Sequence, residues 1–135
     1  MTAGFTWKER KRSMAREWLS NPAIYYPVLV GEVVFKKAIF GCHMCGQCIL
    51  SYTALTCPMN CPKKIRNGPC GGTRPNGKCE VYPKRACVWN KIHRRAKAVG
   101  RLRKIEEIQE CVDWSLEGTS AWINLFQGKI KPPSL

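Results

Sequence analysis

The chain has 135 residues, with 23 Lys and Arg against 9 Asp and Glu, and its formal net charge is +14 at pH 7. A chain of this size buries roughly two-thirds of its unfolded surface, so a compact folded unit is expected rather than disorder. A (β/α)8 barrel of about 250 residues is excluded, and a reaction that needs such a barrel must use another chain. The excess positive charge is expected to be solvated or to face an anionic partner.

Residues 1 to 20 contain no apolar segment typical of a secretory signal. The longest apolar stretch, Ile24 to Phe35, is interrupted by Pro27, Gly31 and Glu32, and a membrane-spanning helix needs about 20 apolar residues. We therefore expect a soluble, cytoplasmic protein. In a reducing compartment the 9 cysteines are expected to bind metal or take part in redox chemistry rather than form disulfides.

Regular structure is predicted on both sides of a cysteine-rich block. Apolar residues spaced among basic ones from Phe5 to Leu19 predict an amphipathic helix, which packs on its own domain or docks on a partner. The many Val, Ile, Phe and Tyr residues from Tyr25 to Phe40 predict one or two short strands around Gly31. Apolar residues at steps of three and four predict a long basic helix from Lys84 to about Glu110.

The tail from Val112 to Leu135 contains two tryptophans, which indicates docking on a surface of this domain or of a partner. The predicted fold is a small α+β domain, irregular and stabilised by metal, with short strands and a long C-terminal helix. We divide the chain into an N-terminal helical docking segment (1–30), a cysteine-rich cluster-binding domain with the basic helix (31–129) and a tail (130–135).

Eight cysteines lie between residues 41 and 87, in a segment with many Pro and Gly and few large apolar residues. Because this segment lacks the side chains for a core of its own, we expect bound metal to hold it together. The spacing is Cys42-x2-Cys45-x2-Cys48-x8-Cys57-x3-Cys61-x8-Cys70-x8-Cys79-x7-Cys87. Three thiolates at two-residue intervals reach three corners of a cuboidal cluster, as in bacterial ferredoxins, whereas a zinc site needs only pairs. The spacing favours two 4Fe–4S clusters, with zinc as the alternative.

The predicted ligands divide into two groups of four. One cluster is assigned Cys42, Cys45, Cys48 and Cys87, and the other Cys57, Cys61, Cys70 and Cys79. Exchange between Cys57, Cys79 and Cys87 stays open, because ferredoxin loops often send their last cysteine to the other cluster. Gly71 and Gly72 let backbone N–H groups approach the sulfur of Cys70.

The remaining candidate residues have simpler interpretations. Cys111 is expected to be a buried thiol at the end of the long helix, since free cysteine behaves as a small hydrophobe. His43 is a minor alternative ligand for zinc, and His93 is expected at the surface. No nucleophilic triad, carboxylate pair or phosphate-binding motif is present, so catalysis by this chain alone is not expected. Nucleic acid is the least favoured partner, because no recognised binding module accompanies the charge.

The segment from Gly41 to Trp89, with its motifs CPMNCPK and RNGPCGG, resembles the methylenetetrahydrofolate reductase C-terminal domain. That domain also occurs in the small iron–sulfur subunit of anaerobic bacterial methylenetetrahydrofolate reductases. The tail VDWSLEGTSAWINLFQGK, from Val112 to Lys129, is similar to the end of the domain. The resemblance covers about Gly31 to Lys129, and the positions that match are the eight cysteines from Cys42 to Cys87.

The resemblance implies a partner, a TIM-barrel catalytic subunit that carries FMN or FAD and reduces methylenetetrahydrofolate to methyltetrahydrofolate. This chain is then expected to be a non-catalytic iron–sulfur subunit of a heteromeric complex that passes electrons to the flavin. The alternative is a zinc-binding structural adaptor for a barrel enzyme of folate or methyl-transfer chemistry.

Overall fold

The computed structural model describes residues 17–132. The helix predicted over Phe5–Leu19 lies mostly outside the described residues. Its last three residues, 17–19, are described and are helical. The longest element that the structure describes in full is the helix α1, Pro22–Phe40. None of the described helices is both long and apolar enough to cross a membrane.

The sequence defines both ends of α1. The Asn21 side chain accepts a hydrogen bond from the N–H of Ala23 at 3.0 Å, and Pro22 occupies the first helical position, where a backbone N–H is not needed. At the other end Gly41 adopts a left-handed conformation with φ 60°, which glycine tolerates without steric cost. The strands predicted over Tyr25–Phe40 are wrong, because these end signals and tertiary contacts outweigh the β-propensity of Val, Ile and Tyr.

The segment between α1 and the next α-helix has little regular structure. It contains the 3-10 helix Pro58–Asn60 and two isolated β-bridges, which pair Thr73 with Cys79 and Lys78 with Ala86. Within residues 17–132 the structure has no β-strand. The predicted α+β class is therefore wrong, and the described part of the chain is mostly helical.

The long C-terminal helix is also wrong, because the chain turns at Gly100. The helix α2 covers Val88–Ala98, and a short helix α3 follows at Leu102–Ile105. Gly100 has φ +69°, and the N–H groups of Gly100 and Arg101 bond back to carbonyls of the last turn of α2. This pattern is a Schellman motif, which ends a helix at a left-handed glycine.

The tail forms the 3-10 helix Trp114–Leu116 and the helix α4, Ala121–Phe126. Ser120 caps α4, since its Oγ accepts a hydrogen bond from the N–H of Ile123 at 3.2 Å. The tail packs on the domain itself, one of the two possibilities predicted for it. The predicted division at residues 30 and 130 stays a prediction.

The apolar core is divided into two small clusters, and each of them contains cysteines. The first consists of Leu50, Cys57 and Met59, and the second of Cys61, Trp89 and Ile92. Cys45 and Cys48 pack against the first cluster and Cys87 against the second. Five of the cysteines therefore lie in or against the apolar core.

Candidate metal centres

Four cysteines line a hollow at the C-terminal end of α1, and we call this group site 1. Its members are Cys42, Cys45, Cys48 and Cys57. The first three come from the loop that Gly41 starts, and the fourth directly precedes the 3-10 helix Pro58–Asn60. A tight loop followed by a return of the chain thus brings four thiols around one space.

The other four cysteines of the cysteine-rich block line a second hollow, and we call this group site 2. Its members are Cys61, Cys70, Cys79 and Cys87. Cys61 follows the 3-10 helix, Cys79 belongs to one of the β-bridges, and Cys87 directly precedes α2. One turn of 3-10 helix therefore separates the two sites along the chain, with a cysteine of site 1 before it and a cysteine of site 2 after it.

This grouping differs from the predicted one at two residues. Cys57 lies with the first three cysteines, and Cys87 lies with the later ones, which is an exchange that the sequence left open. Within residues 17–132, no three Cys, His, Asp or Glu side chains lie close enough together to hold a single metal ion. The thiols of each site instead surround a hollow.

Three residues outside the two sites were also assigned from the sequence. His43 is exposed, and its Nε2 lies 2.9 Å from Oδ1 of Asn60, so it does not line site 1. His93 is exposed, as predicted. The prediction of a buried Cys111 is wrong, because the helix that was expected to carry it ends earlier and the thiol is exposed.

Burial dominates the thiol chemistry of site 1. It raises the pKa of Cys57 and of Cys42 above the ordinary value, because a thiolate loses its hydration there. The N–H of Met44 donates to the Sγ of Cys42 at 3.3 Å, and this hydrogen bond and the charge of Lys36 both act to lower the pKa of Cys42. A positive group or metal in the hollow is thus needed to keep these thiols ionised.

Two charged residues of α1, Glu32 and Lys36, face inward and line site 1. They are 0% and 4% exposed, lie one helical turn apart, and form an ion pair with 2.5 Å between Nζ and Oε1. Burial alone lowers the pKa of Lys36, but the charge of Cys48 and the contact with Glu32 outweigh it and raise that pKa. The amine is therefore a buried ammonium group beside the thiols.

Arg66 is a second cation at site 1, and it is 8% exposed. Its Nη2 donates to the carbonyl of Gln47 at 3.0 Å, while its Nε and Nη1 are buried without a hydrogen-bond partner. Buried N–H groups of a cation are costly to leave unpaired. Their place in the wall of a four-thiol hollow fits an anionic group with acceptor atoms, such as an iron–sulfur cluster with its four thiolates.

The C-terminal tail covers site 1. Thr119 and Ala121 line the hollow, and the Ser120 hydroxyl donates to the Glu32 carboxylate. The backbone N–H of Ala121 donates to the same carboxylate at 3.2 Å, and the Asn124 side chain donates to the carbonyl of Gly46 at 3.0 Å. The tail is thus connected to both α1 and the first cysteine loop.

Site 2 has more exposed residues in its lining than site 1 has. The thiol of Cys70 is exposed, and it accepts a hydrogen bond from the N–H of Gly72 at 3.4 Å, as predicted. Partial burial acts to raise the pKa of Cys87, but hydrogen bonds from the Thr73 hydroxyl, at 3.0 Å, and from two backbone N–H groups of α2 lower it overall. Lys63 at the rim forms an exposed ion pair with Glu80.

The sequence analysis missed the buried polar residues around site 1, which are Glu32, Lys36, Arg66 and Asn124. One signal was available for the first two, because a four-residue spacing places them on the same face of a helix. No such signal distinguishes Arg66 from the neighbouring lysines or Asn124 from other tail residues.

The fold and the sites define a small, mostly helical, cysteine-rich protein whose thiols are gathered into two groups of four around separate hollows. The family model described as methylene-tetrahydrofolate reductase C terminal matches residues 22–115, a range that contains all the cysteines of both sites. The chain belongs to this family, which confirms the resemblance, and it is associated with methylenetetrahydrofolate reductase and one-carbon metabolism. No curated protein and no solved structure matches the chain.

Proposed function

We propose that the chain is an electron-transfer subunit of a methylenetetrahydrofolate reductase, with one 4Fe–4S cluster in each site. The single observation that carries this proposal is the division of eight thiols into two groups of four, each around its own hollow. Cys42, Cys45, Cys48 and Cys57 hold the first cluster, and Cys61, Cys70, Cys79 and Cys87 hold the second. Such a cluster, when bound, accepts and releases one electron at a time.

The choice of iron–sulfur clusters over zinc has support from the geometry of the thiols. A zinc ion draws four sulfurs onto one point at about 2.3 Å. Thiols that surround a hollow, with no three ligating side chains of residues 17–132 close enough to hold one ion, suit a larger inorganic core. The unpartnered guanidinium nitrogens of Arg66 add to this, because an inorganic sulfide accepts hydrogen bonds, whereas a closed zinc–thiolate site offers only the thiolates.

The proposed partner is a TIM-barrel subunit with FMN or FAD. Conversion of the methylene group to a methyl group takes two electrons and two protons, and the flavin collects the electrons singly and delivers them as a pair. An external one-electron donor is oxidised in the process. This chain is proposed to relay electrons from that donor and not to touch the folate.

The outer side of α1 is the proposed docking surface for this partner. Tyr26, Val30 and Val34 are spaced four residues apart and are 62%, 59% and 64% exposed, whereas Glu32 and Lys36 on the other side are buried. A helix that exposes apolar residues and buries charged ones is expected to be covered on its apolar side. Docking there brings the flavin subunit to the helix that borders site 1.

Oxygen-free co-purification with the barrel subunit tests the proposal. We expect a brown chain with eight irons and eight acid-labile sulfides, bleaching with dithionite, and flavin reduction that depends on this chain. A colourless protein with zinc and no sulfide contradicts the electron-transfer role and supports the adaptor.

The docking surface has its own test in Val30→Asp, with Val81→Asp as a matched control. Val81 is also exposed, at 45%, and lies outside α1. We expect Val30→Asp to weaken co-purification of the barrel subunit by at least tenfold, with full iron content, and Val81→Asp to leave it unchanged. Equal co-purification by the two variants contradicts docking through α1.

A further inference from the structure

Two buried cations line one of the hollows, and the proposed electron-transfer role assigns them no task. Arg66 and Lys36 are 8% and 4% exposed and both border site 1. The cations that border site 2, Lys63 and Arg85, are exposed. Because a charge acts more strongly where water is excluded, the buried pair has the greater effect on what its hollow holds.

The hydrogen bonding of Arg66 shows which atoms are available. Among the described residues, 17–132, only its Nη2 has a partner, the carbonyl of Gln47, which anchors the side chain to the first cysteine loop. Nε and Nη1 are buried and have none. A guanidinium group cannot give up its charge to reduce this cost, so an acceptor in the hollow is the remaining way to satisfy it.

Lys36 is held at the hollow by its own contacts. Glu32 pairs with its Nζ, and the Trp122 ring lies 5.1 Å from the same nitrogen. The Glu32 carboxylate also accepts hydrogen bonds from Ser120 and Ala121, so its negative charge is shared with α4. The ammonium group therefore stays beside the thiols with only part of its charge offset.

We infer that Arg66 and Lys36 are positioning residues for the group in site 1, where Arg66 donates from Nε and Nη1 to inorganic sulfide and both cations raise the reduction potential above that of site 2. This inference rests on the proposed cluster in site 1. Positive charge and hydrogen bonds to sulfur both favour the reduced, more negative cluster. Site 1, beside α1, is then the cluster that holds the electron at equilibrium.

The test is a redox titration, followed by EPR, of the oxygen-free, iron-loaded full chain. Arg66→Gln and Lys36→Met remove the buried charges, and Arg103→Gln and Lys37→Met remove the same charges from exposed positions. The double variant Cys48→Ala/Cys57→Ala identifies the signal of site 1. We expect Arg66→Gln to disfavour reduction of site 1 about tenfold, a downward shift of 59 mV for one electron, with site 2 unchanged. Arg66→Lys keeps the positive charge but loses the planar guanidinium donors, so it should lower the reduction potential of site 1 by less.

Each outcome bears on one proposal only. If the wild-type protein contains neither iron nor acid-labile sulfide, the proposed function itself is contradicted. Full iron in Arg66→Gln and Arg103→Gln, with equal potentials in both, overturns the inference and leaves the function in place. If Arg66→Gln loses the cluster of site 1, Lys36→Met decides: a lowered potential relative to Lys37→Met supports the inference, and an unchanged one overturns it.

Discussion

The two sites have the same number of thiols but very different surroundings. Site 1 lies between α1 and the C-terminal tail, and Cys57 is buried in it. Site 2 also has a buried thiol, Cys61, but its Cys70 is exposed and an exposed pair, Lys63 and Glu80, lies at its rim. The thiols determine how many ligands each site offers, and residues remote in sequence determine how dry and how positive the site is.

The sites also differ in how much of the chain builds them. The hydrogen bonds of the Glu32 carboxylate reach Trp122, which is 90 positions away. The residues that line site 2 all lie between Asn60 and Trp89, whereas those that line site 1 extend from Glu32 to Ala121. Site 2 therefore forms from local structure, whereas site 1 requires α1, the first cysteine loop and the tail together.

Removal of two cysteines has the largest expected effect on this comparison. In Cys61→Ala/Cys87→Ala both changes fall in site 2, so we expect half of the iron to remain in site 1. In Cys57→Ala/Cys87→Ala each site loses one ligand, so we expect almost all of the iron to be lost. Iron and acid-labile sulfide analysis of the purified chains measures both.

Cys111→Ala is the control, because this thiol is exposed and belongs to neither site. It should retain full iron. Equal iron contents in the two double variants would contradict the grouping of Cys57 with site 1 and of Cys87 with site 2.

A pair of glycine substitutions compares the packing of the two sites. Gly46 and Gly71 both have a left-handed backbone, at φ +71° and +77°, which costs other residues about 1–2 kcal/mol. A Cβ at Gly46 would also overlap the Leu116 carbonyl oxygen, whereas a Cβ at Gly71 meets nothing within 4 Å. Overpacking adds about 1–3 kcal/mol, so Gly46→Ala should lower the thermal midpoint further than Gly71→Ala. Equal midpoints would show that the tail does not press on the first loop.

The sequence predicted the cysteines of the sites better than the elements around them. The many Val, Ile, Phe and Tyr residues between Tyr25 and Phe40 are typical of strands, whereas the residues at the ends of the segment, Asn21 and Gly41, carry helix signals. The apolar spacing after Lys84 is helical on both sides of Gly100, so periodicity alone extends the helix through a residue that ends it.

The division of the cysteines into two sites depends on geometry that spacing does not contain. Cys57 and Cys61 are separated by three residues, and the 3-10 turn between them directs their side chains to different hollows. The burial of Arg66 was beyond prediction for a related reason. In the sequence, nothing distinguishes Arg66 from the other basic residues of a chain with 23 of them.

The tail offers a third way to test the difference between the sites. Asn124 is buried, and its side chain donates to the carbonyl of Gly46 at 3.0 Å and to Thr119 at 2.7 Å. Asn124→Ala leaves these acceptors unpaired, and we expect a loss of about 1–3 kcal/mol. Iron should then leave site 1 faster in a chelator challenge, while release from site 2 is unchanged. Lys129→Ala, an exposed change in the same tail, is the control, and equal release rates in the two variants would argue against the tail as a cover.

The smallest expected effect belongs to the hydroxyl of Thr73, which donates to the Sγ of Cys87 at 3.0 Å. Thr73→Val keeps the shape and removes one neutral hydrogen bond, worth about 1 kcal/mol. For a one-electron couple, about 1.4 kcal/mol corresponds to 59 mV and to a tenfold change in the equilibrium constant of reduction. The loss of this hydrogen bond should therefore lower the reduction potential of site 2 by a few tens of millivolts. The reduction potential of site 1 should stay unchanged. Ser115→Ala is the control, because that exposed hydroxyl donates to the Asp113 carboxylate and not to sulfur, and Ser115 lines neither site. If Thr73→Val and Arg66→Gln shift different signals, the two sites are tuned separately, site 2 by a local hydrogen bond and site 1 by buried charge; a shift of the same signal would mean that they share one environment.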